Sequence, residues 1–338
     1  MDIRVTPFGA ADETALGRAY EIEVAARDVD APDLPPCCRQ RFFGGFHHPR
    51  PGEELRAALA LRDGQPAGYV RISLPQLENR ENALVTLVVH PEHRRHGVGR
   101  ALYDHTVRLL REIGRKRILA DSVIGLPGSA GTTPGAAFAA AMGAHAALTD
   151  IRRRLDVTAL DQDALDRLLA ESWPRAAGYS VVRWPGPAPD EYAEDVAYLD
   201  SRLLEDAPLG DLTMEAERPD VARKRAVEAT NTAWGKRWYN CGVRHDATGR
   251  LVAWTAINFS ASVAWHAYQS ITLVEPRHRG HRLGTIIKIE NLRYVLAHEP
   301  ALRYIDTYNA AENDHMIAIN DALGFQAVDG LMNWQVTI

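Results

Sequence analysis

The chain has 338 residues, about twice a common domain length, and 46% of them are apolar, which excludes global disorder and points to two domains. Thirty-nine Lys and Arg stand against 44 Asp and Glu, a formal charge of −5, so no cationic surplus exists to displace counterions from nucleic acid. No apolar run approaches a membrane span, the opening MDIRVTPFG is not a secretory leader, and three cysteines (Cys37, Cys38, Cys241) make neither a disulfide framework nor a metal knuckle; the expectation is a cytoplasmic protein with reduced thiols and no membrane partner.

In chain order, IRVTPF from Ile3 reads as a strand. VTLVV (Val85–Val89) is a second apolar strand, leading through His90-Pro91 into HRRHGVG (His93–Gly99). A helix pattern follows, with Leu102, Tyr103, Val107, Leu110 and Ile113 at three-to-four spacing. DIRRRLDV (Asp150–Val157) alternates like a strand, Ala159–Trp173 reads as a connecting helix, and PRAAG (Pro174–Gly178) breaks it. The series then repeats. YSVVRWP from Tyr179 matches the first strand, and ITLV (Ile271–Val274) leads through Glu275-Pro276 into HRGHRLG (His278–Gly284). The helix pattern of Ile286, Ile289, Leu292, Val295 and Leu296 follows, ended by Pro300, and LMNWQVTI (Leu331–Ile338) closes the chain as a strand. Arg94 and Arg279 stand 185 positions apart. A tandem duplication explains the pattern, with domains expected at 1–157 and 179–338 and a connecting helix and linker at 158–178.

A strand, a glycine-bearing turn and a helix make a cradle for an anion, because the helix start offers unpaired N–H groups and the positive end of its dipole. A kinase-type phosphate loop needs Gly-Lys-Ser/Thr, which neither turn has. A dinucleotide fingerprint needs a third glycine, and Gly97-Val98-Gly99 is followed by Arg100-Ala101-Leu102. The turn Arg/Gln-x-x-Gly-x-Gly/Ala is met by Arg94-Arg95-His96-Gly97-Val98-Gly99. On these residues, and on DTYNAAENDHMIAINDALGF (Asp306–Phe325) with its Leu-Gly-Phe ending, both halves resemble the GNAT superfamily of acyl-CoA-dependent N-acetyltransferases in its tandem arrangement. The resemblance implies an α/β fold of two GNAT-like domains, each a mostly antiparallel twisted sheet flanked by helices. Acetyl-CoA would be the acyl donor, with no metal. It places the donor on Leu87, Val88, Val89, Arg94, Arg95, His96, Gly97, Val98, Gly99 and Arg100 in the first half. In the second half it places it on Leu273, Val274, Arg279, Gly280, His281, Arg282, Leu283, Gly284 and Thr285, with Asn309 and Asn313 along the cofactor arm. Arg282 stands where the family has the first glycine, and the first half's final helix is eroded to Gly143-Ala144. The retained final helix favours the second half as the catalytic one.

The implied chemistry is direct attack of an amine on the thioester in a ternary complex. The amine, with pKa about 10, must give up a proton to a base. Candidate bases are Glu81, His266, Tyr268 and Glu275; the family's acid tyrosine is replaced by Ala139 and Asn320, leaving Tyr308 and His315 as alternatives. Between Asp190 and Asp220 eleven Asp and Glu face two Arg, and Asp200, Asp206 and Asp211 are the candidate contacts for a small cationic amine. The competing functions are an acyl-CoA sensor without catalysis and O-acetyl transfer on the same scaffold. The histidines His90, His93, His96, His278 and His281 lie where the cofactor should sit and lack the partners of a zinc site.

Overall fold

A computed structural model describes residues 2–129 and 131–338. The chain divides into two compact units: the first gathers 1–150, 209–215 and 329–338, the second 151–208 and 216–328. The elements run β1 (Ile3–Phe8), α1 (Glu13–Asp30), α2 (Arg39–His47), β2 (Glu53–Arg62), β3 (Gln65–Pro75), β4 (Asn82–Val89), α3 (Val98–Glu112), β5 (Arg117–Ile124), α4 (Pro134–Ala141) and β6 (His145–Asp156). They continue as α5 (Gln162–Ser172), β7 (Tyr179–Pro185), α6 (Ala193–Ser201), α7 (Leu203–Asp206), α8 (Val221–Ala233), β8 (Arg237–His245), β9 (Leu251–Phe259), β10 (His266–Val274), α9 (Leu283–His298), β11 (Tyr304–Ala310), α10 (Asp314–Ala322) and β12 (Gln326–Thr337).

In the first unit β1 to β4 form an antiparallel meander and β5 lies parallel to β4. Asp63 and Gly64, both at positive φ, turn β2 into β3, as a two-residue hairpin requires. One face of the sheet packs on α3 through Val98, Leu102 and Leu110 against Ala60, Val70 and Ile72. Full burial of Leu102 and Leu110 contributes about 2 kcal/mol each. The other face packs on α1 through Ala15, Ala19 and Ile22 against Leu59 and Tyr69. The sheet is completed by β12, antiparallel to β5 from Gly330↔Ile124 to Thr337↔Arg117.

The second unit repeats this plan. Strands β7 to β10 are antiparallel, β11 runs parallel to β10, and β6 lies beyond β11. Helix α9 fills one face with Ile286, Ile289, Leu292 and Val295, and α6 fills the other with Val196 and Leu199 against Trp184 and Trp254. The connecting helix α5 buries Leu165 and Leu169 in this core, so it belongs to the second unit. The two segments read as closing strands therefore do not close contiguous halves. Residues 151–156 of the first belong to the second unit, and residues 329–338 of the last belong to the first.

Both sheets open at the same place. Strands β4 and β5 pair over three positions only, Asn82↔Arg117, Ala83↔Ile118 and Leu84↔Leu119, before they part. Strands β10 and β11 pair over His266↔Tyr304, Ala267↔Ile305 and Tyr268↔Asp306 before they part. Past each fork, the β4 or β10 strand runs directly into the repeated turn.

Candidate functional site

The two turns share one hydrogen-bond pattern and one backbone path. His90 Nδ1 accepts the Glu92 N–H at 3.3 Å, and the Glu275 carboxylate accepts the Arg277 N–H at 2.9 Å, each starting a short 3-10 turn. Arg94 Nε donates to the Val89 carbonyl and Arg279 Nε to the Val274 carbonyl, both at 3.3 Å. Two residues in each turn then adopt left-handed backbone: Arg95 (φ 63°) and Gly97 (φ 84°) in the first, Gly280 (φ 85°) and Arg282 (φ 55°) in the second. The glycine has changed places within the pair while the backbone path is kept.

Helices α3 and α9 start with no capping side chain, as do α2, α6 and α7, whereas α1, α4, α5, α8 and α10 are capped by Asp12, Thr133, Asp161, Asp220 and Asn313. The first N–H groups of α3 and α9 therefore lack a side-chain acceptor and lie beside exposed turn residues, an arrangement that fits a diphosphate. Val98 and Leu283 are buried and can meet a ligand only through main chain, while Arg95, His96, Arg100, Arg279 and Arg282 are exposed. Thr285 is half-buried. A Cβ on Gly99 would stand 3.0 Å from the Phe138 ring and one on Gly284 3.6 Å from Ile319, so α4 and α10 press closely on the helix starts. His93 and His278 are both held below the ordinary histidine pKa, first by burial; the charge of Arg62 adds to this at His93, while Glu275 opposes it at His278. His278 instead meets the Tyr179 hydroxyl through Nδ1 at 2.8 Å, and His281 Nδ1 meets the Arg175 carbonyl at 2.8 Å. Among the described residues no group of His, Cys, Asp or Glu is arranged to hold a metal.

The forks differ. In the first unit Val85 to Val89, including Leu87, Val88 and Val89, are half-buried and Leu84 is 41% exposed, so the β4 edge lies open. In the second unit Leu273 and Ile271 are buried against Trp254 and α6, and the Thr307 hydroxyl reaches across to the Gln269 carbonyl at 3.3 Å. A bulge between Gln269 and Ile271 turns the Gln269 amide inward, where it donates to Thr255, Ala256 and Ile271. Below the fork Asp306, fully buried, accepts from Arg152 at 2.9 Å and Arg154 at 2.7 Å and meets His266 Nε2 at 3.0 Å. Burial alone would raise the Asp306 pKa; the hydrogen bonds and charges of Arg154 and His266 overcome it and hold the carboxyl far below its usual range.

The sequence candidates fall as follows. His266 is 2% exposed and joined to Asp306, so it forms part of a buried network; Tyr268 stacks edge-on against it at 4.7 Å. Glu275 caps its turn and lies 3.8 Å from His278. Glu81 sits at the far end of β4 from the turn, paired with Lys116 and Arg117, whose hydrogen bond and charges hold it below the carboxylate range. Tyr308 is half-buried on β11, and His315 is exposed on α10. Asn309 accepts from Asn320, and the Asn313 side chain caps α10. Asp200 pairs with Lys224 at 2.7 Å, and Asp206 pairs with Arg202 at 2.8 Å and Arg279 at 2.9 Å. Asp211 does not join them: it belongs to the first unit, where it lies 3.4 Å from His145. Of the three candidates, Asp200 and Asp206 are thus charge-paired in the second unit, and Asp211 is an exposed carboxylate of the first.

One group was not flagged by the sequence. Asp121, on β5 just past the first fork, is exposed to solvent although protein atoms crowd round it. Burial raises its pKa; Arg71 opposes this, and Glu23 and Asp150 add to it. No motif marks a single aspartate within Ala-Asp-Ser-Val, and only the fold shows where it points.

Residues 20–125 match the model of the Acetyltransferase (GNAT) family. The chain is 35% identical to a tandem GNAT protein from the clavulanic acid biosynthesis pathway, solved without AcCoA, over 99% of this chain and 98% of that one, with TM-score 0.83. It is 25% identical over 322 residues to a mycothiol acetyltransferase of Saccharomonospora viridis, 90% of each chain being covered. A GCN5-related N-acetyltransferase from Sphaerobacter thermophilus shares the fold at 13% identity, over 99% of this chain and 95% of that one, with TM-score 0.65.

Proposed function

The chain belongs to the GNAT acetyltransferases in their tandem form, and from that membership we propose that it moves an acetyl group from acetyl-CoA to the amine of a small molecule, with the first unit performing the transfer. The observation that carries the choice of unit is the open fork of β4 and β5 leading straight into the Arg94–Gly99 turn. A thioester arm laid along Leu87–Val89 would find free main-chain groups there, as an added strand does at a sheet edge. The uncapped start of α3 would take the diphosphate, helped by Arg95 and Arg100. The acetyl end would then lie at the fork, where an N–H of β4 can hold the developing oxyanion.

The second unit keeps the turn, but Thr307 bridges its fork and the Asp306 network fills the base. Its proposed role is structural or regulatory, with the turn available to a phosphate-bearing ligand. The sequence-based preference for the second half rested on its retained final helix; the bridged fork now supports the other choice. Acceptance of amines fits the family, and one relative is a mycothiol acetyltransferase.

The test is calorimetric binding of acetyl-CoA together with release of CoA thiol over a panel of amines. Gly97→Glu is expected to abolish turnover and the binding event at the first turn, whereas Gly284→Glu leaves turnover in place. Gly97→Asn, which tolerates left-handed backbone, controls for strain. Turnover that survives Gly97→Glu and is lost in Gly284→Glu would reverse the assignment.

A further inference from the structure

The acceptor side of the first fork carries two unlike charges that the protein does not pair. Arg71 stands on β3 opposite Thr86 of β4, and regular pairing would place Thr86 beside Asp121 of β5 had the strands not parted after Leu84 and Leu119. Arg71 and Asp121 therefore occupy one row across the sheet with the fork between them, on the order of 10 Å apart at the backbone. They share a face. Tyr69, two residues before Arg71, packs under α1, and Asn333, the β12 partner of Asp121, donates to Asp150 at 2.8 Å beside it.

Neither charge has an ion-pair partner among the described residues. Nearby carboxylates are engaged: Glu23 accepts from the Tyr69 hydroxyl at 2.7 Å and lies 3.7 Å from Arg27, and Asp150 accepts from Asn333. The Arg71 guanidinium runs under α2, where Gly45 leaves room: a Cβ there would stand 3.5 Å from Nη1. Leu84, apolar and exposed, lies on β4 at the fork itself. An unpaired half-buried guanidinium and an unpaired carboxylate, set either side of Thr86 with the exposed Leu84 beside it, complement a ligand with an anion at one end and a cation at the other.

We infer that the first unit's acceptor is an amino acid-like zwitterion, its carboxylate held by Arg71 and its ammonium delivered to Asp121, which is the proton acceptor of the transfer. This rests on the reading of the first unit as the transferring one. In the step, the ammonium gives a proton to the Asp121 carboxylate and becomes a neutral amine. The nitrogen lone pair forms the bond to the acetyl carbon, the carbon–sulfur bond breaks, and its electron pair leaves with sulfur as the CoA thiolate. The second nitrogen proton passes to the thiolate, and Asp121 returns its proton to water. A carboxylate whose basicity is raised by its surroundings suits this role. The charges facing it are Glu23 from α1, Arg71 from β3 and Asp150 from β6.

The test compares wild type, Asp121→Asn and Arg71→Met on paired acceptors, lysine against cadaverine and ornithine against putrescine. Asp121→Asn should lower kcat by about 10²- to 10⁴-fold with acetyl-CoA binding unchanged. The bell-shaped pH dependence of kcat/KM should become a plain rise that follows the free amine. Arg71→Met should raise KM about 10- to 100-fold for the amino acids and leave the diamines unaffected, the loss of one charge-assisted anchor. Wild-type kcat and pH profile in Asp121→Asn, or an equal effect of Arg71→Met on both acceptor types, would overturn the inference. Absence of thiol release from wild type with every acceptor would overturn the transferase reading instead. Calorimetry of the same acceptors then decides the zwitterion site alone: it stands if Arg71→Met abolishes amino-acid binding and falls if it does not.

Discussion

Arg282 holds in the second unit the left-handed backbone (φ 55°, ψ 21°) that Gly97 holds (φ 84°, ψ −6°) at the start of the first unit's long helix. A residue with a Cβ is strained there by about 1–2 kcal/mol, offset in part by the smaller freedom it has when unfolded. Arg282→Gly should therefore stabilise the second unit by up to about 1 kcal/mol. Gly97→Ala should destabilise the first by about 1 kcal/mol. Urea unfolding read by tryptophan fluorescence measures both; a loss of stability in Arg282→Gly would show that the arginine side chain, which lies 3.7 Å from Glu171, outweighs the strain.

The cysteines should be sluggish although Cys37 is partly exposed. Burial, aided by Glu23 and Asp28, raises the Cys37 pKa to about 11, and burial raises that of Cys241 to about 12. Only the thiolate attacks an aromatic disulfide reagent. Native protein at pH 7.5 should react far more slowly than free cysteine, with all three thiols titrating at once in denaturant. Rapid native labelling of Cys37 would mean that the segment around it opens.

Lys288 is buried in α9 with its ammonium 5.3 Å from the Phe325 ring, and burial lowers its pKa to about 7. Between that value and about 10.4 the unfolded chain binds the proton that the folded chain has released, so folding stability rises with pH across the window. Below pH 7 the cost of the buried charge, a few kcal/mol, is fully felt. Lys288→Met should raise Tm at pH 6, with a gain that shrinks towards pH 10. An equal gain at both pH values would place the proton elsewhere.

The repeat was legible in the sequence because it is local: an apolar strand, a turn and an amphipathic helix each declare themselves within a few residues. The exchange of closing segments was not, since strand pairing is a long-range choice and Asp150–Val157 and Leu331–Ile338 alternate alike. The acidic run from Asp190 was visible, but its neutralisation was not, because Lys224 and Arg279 lie outside the window in which charges were counted. The turn's left-handed backbone path survived a misplaced glycine that the motif counted as a defect. Asp121 needed the fork to give it meaning.

The buried network of the second unit gives the last prediction. Asp306 carries the negative charge between Arg152 and Arg154, and removing one member of such a group leaves uncompensated charge in the core. Asp306→Asn should cost about 3–5 kcal/mol at pH 7. The folded pKa lies far below the unfolded value near 3.9, so the carboxylate's contribution is complete above about pH 4 and is lost as the pH falls towards the folded value. Wild type should therefore lose stability steeply below pH 4, while Asp306→Asn, with no proton to take up there, should show a flatter acid limb. Urea midpoints of both proteins at pH 7, 4 and 2.5 measure the gap, which should narrow as the pH drops; a gap that stays constant would show that Asp306 acts through packing and hydrogen-bond geometry and not through its charge.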